Sequence, residues 1–132
     1  MGFISLIRSL FHEKSERELI EELGKKFDEL IAISSQEGVS DIIQMLVHNS
    51  VSEWRDRYDY YTEHQNPEIY GFILFLEGIK QKLNDISIKL KIIDNRGIKV
   101  QILNKLDEIN NICEQIKGKL TVHVKTKKRS AA

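Results

Sequence analysis

Eight apolar positions in the second half of the chain, Ile69, Phe72, Leu76, Ile79, Leu83, Ile86, Leu90 and Ile93, follow one another at alternating steps of three and four. That spacing lays them along one stripe of an α-helix. A second stripe, Ile102, Leu106, Ile109, Cys113, Ile116 and Leu120, follows the break Asp94-Asn95-Arg96-Gly97. The pattern predicts helices over 67–93 and 98–117, folded back on each other as a long antiparallel, coiled-coil-like hairpin. Pro67 suits the first turn of the earlier helix, and Gly118 sits where a C-terminal cap is expected.

Upstream, Ile20, Leu23, Phe27 and Leu30, with Leu19 and Ile31 beside them, predict a helix from Glu16 to about Ser34. Ser15 and Glu18 form the capping box that opens it. Ser35-Gln36-Glu37-Gly38 reads as the turn. The next helix starts at Val39 or Ser40 and turns Ile43, Val47, Val51, Trp54, Tyr58 and Tyr61 inward. It should stop near His64, because Asn66 precedes a proline and is pushed away from the α region. Residues 69–76 are apolar on every side, which predicts burial by more than one neighbour or by a second chain. Gly71 and Gly78, seven residues apart, suggest close approach of helices.

The two ends of the chain differ from this body. Residues 1–11 carry Phe3, Ile4, Ile7, Leu10 and Phe11 on one stripe, with Leu6 beside it, and read as a separate short amphipathic helix. Residues 121–126 alternate like a strand, yet nothing else in the chain offers a partner strand, so 121–132 reads as a disordered tail. The expected organisation is an N-terminal helix over 1–11, a bundle over 16–120 and a basic tail over 121–132. The fold class is all-α, a four-helix bundle.

A chain of 132 residues can hide roughly two thirds of its unfolded surface and needs no covalent staples. Its single cysteine, Cys113, falls on an apolar stripe and reads as a small buried hydrophobe more than as a reactive thiol. With no second cysteine and no secretory signal, a reducing, cytoplasmic setting is expected. The prevalence of Ile, Lys and Asn suggests an AT-rich prokaryotic or viral genome. The longest apolar run, 69–76, falls short of the roughly 20 residues that cross a bilayer.

The formal charge of zero conceals an asymmetry. All 20 acidic residues lie before residue 115, together with 14 of the 20 basic ones. An acidic body therefore ends in a basic tail, and Lys125, Lys127, Lys128 and Arg129 are the residues there that could meet nucleic-acid or lipid phosphates.

The densest chemical cluster is 54–64. Trp54, Tyr58 and Tyr61 point inward, whereas Asp56, Tyr60 and His64 follow one another on the outer face with Arg57 and Glu63 beside them. Arg57, Tyr60 and His64 form a candidate site for a phosphate or an acidic partner. The alternative is aromatic packing under solvated ion pairs, each contributing about 0–1 kcal/mol. Six residues separate Arg57 from His64, a spacing that resembles the Arg-x4–6-His motif of the HEPN family of helical ribonucleases. The resemblance covers these two residues, and Tyr58 stands where that family usually has a polar residue. It implies a metal-independent ribonuclease with His64 as acid/base and Arg57 stabilising a developing phosphorane.

His48, followed by Glu53-Trp54, resembles the first histidine of DinB-like metal-binding bundles, but no later His-x-x-x-His completes the set. No metal and no cofactor are expected. Nucleophile-elbow, phosphate-loop and dinucleotide signatures are missing from the sequence. The stripe over 3–11, with Arg8 outside it, resembles short amphipathic helices that bring peripheral bacterial proteins to membranes. A basic tail would add about 1 kcal/mol per cation near an anionic surface. The same stripe equally suits closing an exposed end of a small core or forming a dimer interface. Leu6 stands where a myristoylation signal needs Ser or Thr.

Together these features favour a non-enzymatic interaction or regulatory protein that self-associates as a homodimer or larger homo-oligomer. The contact residues would be Tyr70, Ile73, Leu74 and Phe75, or residues 3–11, with a further protein partner or the inner membrane face as target. The alternatives are the ribonuclease of Arg57 and His64 and nucleic-acid binding through the tail.

Overall fold

The computed structural model describes residues 14–63, 69–92 and 96–131, with side chains as far as Val122 except that of Ile92. Four α-helices lie in this range: α1 (Glu16–Ser34), α2 (Asp41–Glu63), α3 (Ile69–Lys89) and α4 (Arg96–Ala131). A 3-10 turn, Leu90–Ile92, extends α3. No strand occurs among the described residues. The expected helix over 1–11, the stop near His64 and the helix start at Pro67 lie outside them.

Capping follows the sequence. The Ser15 hydroxyl accepts from the Glu18 amide at 3.2 Å and fixes the start of α1. At the other end the Ser35 amide returns to Ile31 and Ala32, and Gly38 then takes a φ of 92°, a left-handed conformation that turns the chain toward α2 at little steric cost.

The helices form a bundle in which α1 packs on α2, α2 on α3, α3 on α4, and α4 back on α1. One continuous core joins them. Leu19, Leu23, Phe27 and Leu30 enter it from α1, so Leu19 rather than Ile20 takes the innermost place in the first turn. The α3 stripe from Phe72 to Ile86 and the α4 stripe from Ile102 to Leu120 are buried as their spacing required. The buried hydroxyls are matched locally: Ser34 donates to Ile31 O at 3.0 Å and Ser50 to Leu46 O at 2.7 Å.

Helix α4 overrides the expected stop at Gly118 and runs on to Ala131. The backbone of 121–131 continues that helix. The physical reason is that Gly118 stays helical: among the described residues only Gly38 has a positive φ, and Leu120 keeps the four-residue step from Ile116 into the core. A Cβ at Gly118 would meet nothing within 4 Å. Gly118→Ala is therefore expected to stabilise the fold by about 0.5–1 kcal/mol in thermal unfolding followed by circular dichroism. A cap residue in the left-handed region would give the opposite sign.

Four charges bind α1 to α4. Lys105 Nζ lies 2.7 Å from one carboxylate oxygen each of Glu29 and Glu108, and Lys26 Nζ lies 3.2 and 3.4 Å from the same two oxygens. The hydrogen bond from Lys105 holds both carboxyls below the usual carboxylate range, against the opposing effect of burial. Burial pulls Lys105 down, but Glu108 and Glu29 together outweigh it and raise its pKa. A carboxyl whose folded pKa lies below its unfolded value stabilises the fold above that unfolded value, and the contribution is lost as pH falls through the folded one. The thermal midpoint should hold steady from neutral pH down to about 5 and then fall below about 4.5, with a shallower fall in Lys105→Met. A native profile that is flat below pH 4.5 would contradict the pairing.

Candidate functional site

The 54–64 cluster divides across α2 much as its spacing required. Trp54 is buried 5.6 Å from Phe27, and Tyr61 packs tilted on Phe72 at 5.2 Å and stacked on Phe75 at 5.8 Å. Tyr58 meets Phe27 edge-on at 5.8 Å and donates its hydroxyl to Ile20 O at 2.8 Å, with burial pushing its phenol pKa up. Asp56, Arg57 and Tyr60 are exposed. Arg57 borders a narrow groove of about 120 Å³ between α2 and α3, with Trp54 and Phe75 at its sides and Lys82 across it. His64 lies outside the described residues, so the expected trio is seen only in part.

Arg55, two residues before Arg57, makes the contacts that the sequence reading missed. Its guanidinium reaches across to α1, donates to Gly24 O at 3.3 Å and pairs with Asp28. It also lies 5.8 Å from the Phe27 ring centre and 5.6 Å from that of Tyr58. Gly24 makes room for this: a Cβ there would stand 2.8 Å from the Tyr58 hydroxyl. Gly71 does the same beneath the Tyr61 hydroxyl, at 2.8 Å, while Gly78 faces open space. Close approach was thus correct for Gly71 and incorrect for Gly78.

The four residues expected as an association patch on α3 separate. Tyr70 and Leu74, one helical turn apart, are 55% and 67% exposed. Ile73 is half-buried against the core. Phe75 is buried at 3%, stacked on Phe72 and Tyr61, and cannot serve as a contact residue without leaving the core. On α2, Ile42 and Met45 are also exposed, at 68% and 64%, a pair hidden in the sequence because neither lies on the inner stripe.

Cys113 is fully buried and its thiol is pushed up to about 12, chiefly by burial, which suits a packing role and not a nucleophile. His48 is exposed, with its Nε2 3.0 Å from the Ser35 hydroxyl. No cluster of three potential metal ligands occurs among the described residues. None of the described helices is long and apolar enough to cross a membrane. The side chains of Lys125, Lys127, Lys128 and Arg129, and residues Phe3, Ile4, Ile7, Leu10 and Phe11, lie outside what is described.

One further groove, of about 470 Å³, opens where α1 and α3 begin and α2 ends, with Ile20, Tyr58, Tyr61, Phe72 and Leu120 lining it. Compared with protein-family models, characterised proteins and solved structures, the chain has no significant match.

Proposed function

We propose that this chain is a non-enzymatic interaction protein that associates with a second copy of itself through the outer face of α3. The observation that carries the reading is the exposure of Tyr70 and Leu74 one turn apart, while Phe72, Phe75 and Leu76 between and beside them are used up in the core. Large apolar side chains paired on one open helix face are what a helix-to-helix contact needs. A two-fold arrangement would lay this stripe against its own copy, each Leu74 near the partner's aromatic ring.

In this reading the scaffold behind that face is α3 and α4 running antiparallel. The ion pairs Lys80–Glu114 and Lys117–Glu77, the latter at 3.0 Å, support it, because rising numbers on α3 meet falling numbers on α4. Residues 3–11 add a second apolar element whose target, whenever the stripe is presented, is a protein partner or the inner membrane face. Sedimentation equilibrium tests the self-association: a chain of 15.4 kDa should behave as a species of about twice that mass. A single-chain mass at every concentration reached would refute it.

A further inference from the structure

The groove at the end of the bundle has an apolar floor and an acidic rim. Ile20, Tyr58, Tyr61, Phe72 and Leu120 line it, and Glu16 and Glu21 stand at its edge beside Arg17. At about 470 Å³ it falls within the roughly 300–1,000 Å³ of ligand-sized pockets, large enough for several side chains. We propose that this groove is the docking site of the chain's own N-terminal segment, residues 3–11, whose stripe of Phe3, Ile4, Ile7, Leu10 and Phe11 covers the floor.

Three observations favour that occupant. The segment joins the fold at the rim: Ser15 caps α1 in an extended conformation, with φ −68° and ψ 162°, and the next residue, Glu16, already borders the groove. An extended backbone at Ser15 takes the chain off the α1 axis. Residues 12–15 can then bridge up to about 13 Å, and nine helical residues extend about 14 Å, more than the 8–10 Å between packed helices. Beside the groove, α4 continues from Leu120 to Ala131, roughly 16 Å further, and offers a wall along which a short helix can lie. The charges also match, because Arg8 would meet the carboxylate of Glu16, while Glu21 pairs with Arg17 at 3.4 Å.

Docking of this kind withholds the stripe from a membrane or a partner until it is displaced. It does not depend on the outer face of α3, and a chain that proves monomeric leaves it untouched. Disulfide trapping in the full chain tests it. Ile7→Cys combined with Thr62→Cys, an exposed groove position, should close an intrachain disulfide under mild oxidation. Ile7→Cys combined with Asp41→Cys, at the opposite end of α2, is the control, and fully buried Cys113 stays out of the exchange. Docking predicts closure at least about tenfold faster than the control, from raised local concentration, and a return to the control rate when Phe3→Asp and Leu10→Asp are added. Equal rates would overturn the proposal. A disulfide found only between chains would also overturn it and would give the groove to a second copy.

Discussion

Phe27→Ala should cost the fold about 3–5 kcal/mol, a large part of the roughly 5–15 kcal/mol that holds a domain of this size together. Phe27 is fully buried, with Trp54 at 5.6 Å, Tyr58 edge-on at 5.8 Å and the Arg55 guanidinium 5.8 Å from its ring centre. Truncation therefore does more than remove one aromatic side chain from the core. It leaves a cavity on which two rings rested, and it takes away one of the two surfaces that hold Arg55 over α1. Arg55 would keep Asp28 and Gly24 O as partners, but with more freedom, so the α1–α2 seam should loosen with the core. Urea unfolding followed through Trp54, the only tryptophan, reads the effect directly. The midpoint should fall with little change in slope, whereas a loss below about 1 kcal/mol would mean that the ring does not pack as described.

Leu74→Asp should have the opposite profile, abolishing association while leaving the fold intact. Leu74 is 67% exposed, and substitutions at such surface positions usually move stability by less than about 0.5 kcal/mol. In a two-fold contact the substitution acts twice. Burying one leucine contributes about 1.5–3 kcal/mol, so losing both, with two carboxylates now facing a desolvated surface, should weaken dimerisation by two orders of magnitude or more. Phe75→Asp would not serve as such a probe: at 3% exposure it would unfold the protein before it reported on a surface.

The class of the fold was legible because it depends on periodicity alone. Positions 72, 76, 79, 83 and 86 are buried on α3, and positions 102, 106, 109, 113 and 116 on α4, where steps of three and four placed them. What escaped depended on the neighbouring helix. The stretch 69–76 is apolar all round, so its pattern cannot say which of Leu74 and Phe75 faces the core. Tyr61, arriving from α2, decides it by stacking on Phe75 and packing tilted against Phe72. Arg55 sits among several charged residues, and only the presence of Gly24 opposite marks it as the one that crosses to α1. Gly118 was ambiguous for a different reason: the same residue can cap a helix or continue it. The signal that favoured continuation was Leu120, which extends the apolar stripe beyond the glycine.

Light scattering after gel filtration, run on the native chain and on Leu74→Asp at matched concentrations, tests the role of the α3 face most directly. The native chain should give about twice the 15.4 kDa of one copy and Leu74→Asp the mass of one copy, with indistinguishable circular dichroism. Equal masses for the two proteins, whether one copy or two, would show that Tyr70 and Leu74 do not form the contact.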